Sequence, residues 1–182
     1  DASLGLNFAG VNYYDGQGFM VKSDLGISSA LELGGAAVCI QAGTTTELNL
    51  ADWGKQNGID YQSVVSDTNA HTLTNYDSGR CDVLTTDASG LYSMRAAAND
   101  PSEHVVLPEI ISKEPLGPVV RQGDDQWFNI VRWSLNAMIT AEELGVTSAT
   151  VDEVTNNPER ERLMGRSGNT HELSLIHISE PT

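Results

Sequence analysis

Positive charge is what this sequence has least of. Its 182 residues carry 10 Lys and Arg against 25 Asp and Glu, a formal net charge of -15, with no basic run or stripe anywhere. A nucleic-acid binder needs a positive footprint for the phosphates, and this chain would repel them. An anionic membrane surface is excluded as a partner on the same ground. Cysteine is nearly as scarce. Cys39 and Cys81 stand alone, with no CxxC and no Cys/His spacing that would hold zinc. The His residues, His71, His104, His171 and His177, are scattered, so we expect no metal site and no cofactor. No apolar run approaches the roughly 20 residues of a spanning helix. What remains is globular in character: 40% of the residues are hydrophobic, enough to bury a core. The length suits one large domain or two small lobes.

The ends carry their own signals. The opening "DASLGLNFAG" has neither an initiator Met nor a signal-peptide pattern, which leads us to expect a chain that begins mid-protein. The closing "LSLIHISEPT" breaks the preceding pattern and looks like translated adaptor read-through. Arg166 to Thr182 is therefore expected to be a non-native or disordered tail, outside any core.

Between the ends, strand and helix patterns alternate. "YDGQGFMVKSDLG" reads as a turn and a short extended run, and "SSALELGG" as a short helix closed by glycines. "AAVCIQAG", "DYQSVV", "CDVLTT" and "EHVVLP" read as strands. "TELNLADWGKQNG", "DTNAHTLTNYDSG" and "DASGLYSMRAAAND" read as the helices between them. This pitch predicts an α/β lobe over Ser23 to Glu114, with a parallel sheet and helices on both faces. "PLGPVVRQG" then reads as a connector. "DDQWFNIVRWSLNAMITAEELG" reads as a long amphipathic helix capped by Asp124 or Asp125, with Trp127, Ile130, Val131, Leu135 and Met138 as its apolar stripe. Trp127 and Trp133 are expected to pack rather than stack on a ligand. "ERER", Glu159 to Arg162, is expected to be a solvated helical face.

The chemistry concentrates at "AGTTTE". In a parallel α/β sheet, ligands bind beyond the carboxyl ends of the strands, where helix N-termini also point. Thr44 and Glu47 fit the S/T-x-x-E capping box, and taken alone a well-capped helix is the simpler account. One cap needs one hydroxyl, however, and two more remain. Hydroxyls, free N–H groups and the positive end of a helix dipole together suit a carboxylate or phosphate. No Gly-Lys-Ser/Thr follows, which argues against a nucleoside triphosphate. Asp87 ends another strand at the same rim. It reads equally as the cap of the next helix or as a carboxylate facing the cleft. A zwitterion fits both poles, with its α-carboxylate on the threonines and its α-ammonium on Asp87.

Here a family resemblance becomes specific. The runs "LGLNFAGVNYYDGQGFMV", "VCIQAGTTTELNLADW", "YDSGRCDVLTTDASGLY", "VVLPEIISKEPLGPVVRQGDDQWFNIVRW" and "AEELGVTSA" resemble the general L-amino-acid binding proteins of bacterial ABC importers. These are polar-amino-acid members of the type II periplasmic binding proteins, and the likeness runs from Leu4 to about Gly165. The resemblance implies two α/β lobes joined by two hinge strands that close on a ligand. It implies Thr44 and Thr45 on the substrate carboxylate, Asp87 on its ammonium, and crossovers near Gly18 to Lys22 and Gly117 to Gln122. It also implies L-amino acids of broad range as ligands, permease subunits as partners, a periplasmic location, and a monomer. In this family an arginine that clamps the carboxylate precedes the segment where this chain starts. We therefore expect residues 1–22 to be a remnant of the first lobe and hinge, 23–114 a complete second lobe, and 115–165 the return hinge with first-lobe helices. Such a chain alone is expected to bind amino acids weakly or not at all.

Thr46 and Tyr14 are secondary candidates for the cleft; for Tyr14, edge packing competes. If the strands bearing Cys39 and Cys81 are neighbours, the thiols could be bonded. Two buried thiols are the alternative, and the implied periplasmic setting favours the bond. Rivals on the same fold are a dehydratase acting on arogenate or prephenate and a ligand-sensing domain. No Ser–His or Cys–His pairing supports an enzyme.

Overall fold

The computed structural model describes residues 2–152 and 157–166. The expectation about the tail therefore lies, apart from Arg166, outside the described residues. In chain order the strands are β1 (Leu6–Phe8), β2 (Tyr13–Asp15), β3 (Gln17–Lys22), β4 (Ala37–Gln41), β5 (Gln62–Ser66), β6 (Val83–Asp87), β7 (His104–Val106), β8 (Glu114–Leu116) and β9 (Val119–Arg121). The α-helices are α1 (Thr45–Asn57), α2 (Asn69–Asp77), α3 (Ala88–Ala97), α4 (Asp125–Glu143) and α5 (Pro158–Leu163). The chain divides into two compact units, Tyr14–Pro115 and the combination of Asp1–Tyr13 with Leu116–Thr182.

The Tyr14–Pro115 unit is built on a five-stranded sheet in the order β5-β4-β6-β3-β7. β4 pairs in parallel with β5 and β6, while β3 runs antiparallel to both β6 and β7. The four strands read from the sequence thus run one way, and the sheet is mixed because a fifth strand lies among them in the opposite sense. That strand is Gln17–Lys22, buried from Gln17 to Val21. It places the start of the lobe before the Ser23 expected, and makes Gly18 to Lys22, expected near a crossover, part of a strand inside the lobe. The chain instead passes between the units at β2 and β8, which pair with each other.

Both faces of the sheet are covered, so the period-two alternation sends apolar side chains to two cores. Phe19, Val21, Val38, Ile40 and Val83 meet Leu50 of α1 with Ala30 and Leu33 on one side. Met20, Cys39 and Leu84 meet Tyr76 of α2 and Leu91 of α3 on the other. Cys39 and Cys81 lie in this second core and are joined by a disulfide, with Cα atoms 5.7 Å apart.

In the other unit β1 pairs antiparallel with β9, from Leu6↔Arg121 to Phe8↔Val119. Gly117 is required there, because a Cβ would lie 1.8 Å from the Gly10 carbonyl oxygen. α4 starts as expected: Asp124 is the N-cap and its carboxylate accepts from the Trp127 N–H at 2.8 Å. Its apolar stripe departs from the packed role expected of it. Leu135 is buried at 7% exposure, whereas Trp127 is 52% and Met138 69% exposed. Arg160 departs from a purely solvated role too. Its Nε donates to the Leu144 carbonyl at 2.8 Å, supplying a cation and a donor to the C-terminal end of α4.

Candidate functional site

A cleft of about 240 Å³ opens beyond the carboxyl ends of β4, β5 and β6. It is lined by Gln41 at the end of β4, by Thr44, Thr45 and Thr46 at the start of α1, and by Asn69 at the start of α2. Thr85, Thr86 and Asp87 at the end of β6, and Glu114 at the start of β8, complete it. Every lining side chain is polar, two are carboxylates, and none is basic.

The handover from β4 to α1 turns on Gly43, whose φ of 68° suits glycine. Thr44 is the N-cap residue of α1, yet its side chain makes no capping bond. Its hydroxyl donates to the Gln41 carbonyl at 2.9 Å, and the Glu47 carboxylate accepts from the Gly43 N–H at 3.1 Å. The capping box predicted by spacing is therefore not formed. The first turn of α1 is left without a side-chain cap beside the hydroxyls of Thr45 and Thr46. α2 differs, since its Thr68 accepts from the His71 N–H at 3.2 Å.

At α3 the cap comes from elsewhere. Asp87 is the N-cap residue but makes no capping bond. The Ala88 N–H donates to the Gly16 carbonyl at 2.8 Å. Asp15 takes the next place: its carboxylate accepts from the Ser89 N–H at 3.3 Å, from the Ser89 hydroxyl, and from the Gly16 N–H at 2.9 Å. Burial pushes the Asp15 carboxyl up, but the Ser89 hydroxyl and the backbone donors outweigh it and hold the group below its ordinary value. Asp15→Ala should therefore destabilise the lobe by about 1 kcal/mol, as losing a cap does. Urea unfolding would show this as a lower midpoint at constant slope; an unchanged midpoint would dismiss the capping role.

The Asp87 carboxylate, which caps nothing, lines the cleft. Its pKa is raised, first by burial and then by the negative charges of Asp15 and Glu114. The threonine side is braced from β3. The Gln17 side-chain amide donates to the Thr46 carbonyl at 3.1 Å and to the Thr85 hydroxyl at 2.9 Å, and Thr85 donates on to the Gly18 carbonyl at 2.7 Å. Thr85 is thereby committed to structure.

Thr44, Thr45, Thr46 and Asp87 thus meet in one cleft. Tyr14 does not join them; it is 80% exposed on β2 and is not a lining residue. Gln41, Asn69, Thr85, Thr86 and Glu114 were not anticipated. Gln41 and Asn69 follow the rule that strand ends and helix starts form such sites, which applied to them as much as to Thr44. Among the described residues no group of His, Cys, Asp and Glu is arranged to hold a metal ion.

No protein-family model matches the chain. Curated proteins do. The general L-amino acid-binding periplasmic protein AapJ of Rhizobium johnstonii is 59% identical over 172 residues, which is 93% of this chain and 50% of that protein. The glutamate/glutamine/aspartate/asparagine-binding protein BztA of Rhodobacter capsulatus is 55% identical over 171 residues, 92% of this chain and 51% of that protein. Among solved structures, an ABC transporter/periplasmic binding protein from Brucella ovis with glutathione bound superposes with a TM-score of 0.87 at 54% identity. That match covers 93% of this chain and 54% of the other. The chain spans about half the length of the curated relatives it matches. It is homologous to periplasmic binding proteins of amino-acid ABC importers, and its α/β architecture is that of the type II periplasmic binding proteins.

Proposed function

We propose that this chain supplies the amino-acid-gripping lobe of a periplasmic receptor that captures L-amino acids and delivers them to ABC permease subunits. The α-carboxylate lies at the start of α1, on the hydroxyls of Thr44 and Thr45 and the first-turn N–H groups. The α-ammonium lies on Asp87. The observation that carries this reading is the pair of helix starts in one cleft. α1 has no side-chain cap, and α3 is capped by Asp15, so an anion-binding end and an available carboxylate face the same space. An ammonium and a carboxylate held a few bonds apart match that polarity. The names of the relatives at 53 to 59% identity agree with it. The dehydratase and sensor readings rest on shared fold alone. Within the proposal the receptor acts as a monomer of broad specificity.

The test uses a chimera in which this chain replaces the matching half of the Rhizobium relative, titrated calorimetrically with common L-amino acids. The chimera should bind several of them at a single site. Thr45→Val should weaken each by about tenfold, the loss expected for a hydrogen bond to a charged group. A chimera that folds but binds no amino acid, or that ignores Thr45→Val, would sink the carboxylate assignment.

A further inference from the structure

We propose that Glu114 is a second acceptor for the α-ammonium, which sits between the carboxylates of Glu114 and Asp87. The assignment rests on the amino-acid reading of the cleft given above.

Two further acids, Asp15 and Glu114, act on Asp87 at this end of the lobe. Asp15 is committed to Ser89 and Gly16 and does not line the cleft. Glu114 does line it, and it is held in position. Its Oε1 accepts from the Ser112 hydroxyl at 2.9 Å and from the Asn49 amide at 3.3 Å. Neither donor uses Oε2. The brace continues inward, because the Ser112 Oγ also accepts from the Gln17 N–H at 3.0 Å. The carboxylate is thus fixed by the interior strand β3 and by α1, the two elements that also set the threonines.

The chemistry of the ligand calls for such a group. An α-ammonium presents three donors and no acceptor, and one carboxylate does not satisfy all three. The cleft holds two carboxylates and no basic lining residue, so without a ligand they repel each other. That repulsion contributes, after burial, to the raised pKa of Asp87. A cation between the two groups turns repulsion into two charge-assisted bonds. A zwitterion anchored by its carboxylate at Thr44 and Thr45 brings its one cation to the Asp87 and Glu114 side.

The experiment compares an L-amino acid with its 2-hydroxy acid analogue, which lacks the ammonium, on the same chimera. Glu114→Gln should weaken the amino acid by about tenfold or more, since it removes a charged acceptor. It should leave the hydroxy acid within about twofold. Because the ratio of the two affinities is read, any loss of folded protein cancels. Asp87→Asn is measured alongside. If Asp87→Asn abolishes amino-acid binding and Glu114→Gln leaves it unchanged, the Glu114 assignment is overturned while the site stands. An equal weakening of both ligands by Glu114→Gln overturns it in the same way. If Asp87→Asn has no effect, or no amino acid binds, the site reading itself fails and Glu114 fails with it.

Discussion

Asp87→Asn is expected to abolish amino-acid binding in the chimera while leaving the lobe at least as stable as before. The two halves of that result have separate causes. Binding fails because the substitution keeps the shape but removes the principal charge that pairs with the ammonium, leaving that cation partly buried with Glu114 alone. Losses from breaking such pairs reach about 3–5 kcal/mol, more than a hundredfold in affinity. Stability does not fall, because Asp87 caps nothing: α3 is held by Asp15 and Gly16. The direction of its pKa goes further. Burial first, and then Asp15 and Glu114, raise it in the folded state. The folded state therefore holds the proton more tightly than the unfolded chain does. Ionising Asp87 as pH rises from its unfolded value through its higher folded value costs the folded state stability, and the cost is fully present above the folded value. Asparagine cannot ionise, so the melting temperature should hold or rise. Asp87→Ala extends the test: a conventional N-cap would lose about 1 kcal/mol on that change, and Asp87 should not. Scanning calorimetry and titration on one preparation separate the cases; a variant that melts early and still binds would reverse both roles. The same direction predicts that amino-acid binding weakens as pH falls into the range where Asp87 takes its proton, since a neutral carboxyl no longer offers the charge.

Periodicity made the parallel part of the lobe readable. β4, β5, β6 and β7 alternate with α1, α2 and α3 as the apolar spacing indicates, and the rule that ligands sit beyond strand ends brought Thr44 and Asp87 to one rim. What escaped is non-local. β3 is a buried run behind an Asp-Gly turn, and nothing in "GQGFMVK" distinguishes an interior antiparallel strand from a connector. Only its pairing with Val83–Asp87 does. The caps were misread on local spacing. Thr44-x-x-Glu47 has the spacing of a capping box, but Glu47 reaches the Gly43 N–H instead. Asp87 stands in the capping position of α3, yet the cap comes from Asp15, 74 residues away from Ser89 in sequence. The first pattern yielded to other local partners and the second to a tertiary one, and both departures fall at the candidate site. Glu114 had no signal at all in "SKEPLG"; it belongs to the cleft because β8 returns there.

Removing the Cys39–Cys81 bond should produce the largest change in stability. The bond closes a loop with a sequence separation of 42 residues. In the chain-entropy account, a loop of that size restricts the unfolded state by about 4 kcal/mol. For a domain of about 100 residues each kcal/mol moves the melting temperature by roughly 4–8 °C. The Cys39→Ala/Cys81→Ala protein should therefore melt on the order of 15 °C or more below its parent. Both cysteines are buried, at 0% and 3% exposure, so dithiothreitol should reduce the native bond slowly. Its rate should be set by opening of the core around Tyr76 and Leu84 rather than by reagent concentration. Affinity measured well below the melting temperature should barely change. The strands leading to Thr44 and Asp87 are kept in register by the β4–β6 ladder, Val38↔Val83 and Cys39↔Leu84, which does not need the sulfurs. Two outcomes would count against this account. Two free thiols in unreduced, denatured protein would show that the bond is not made. A double variant that keeps its melting temperature but loses affinity would move the disulfide from holding the lobe together to shaping the cleft.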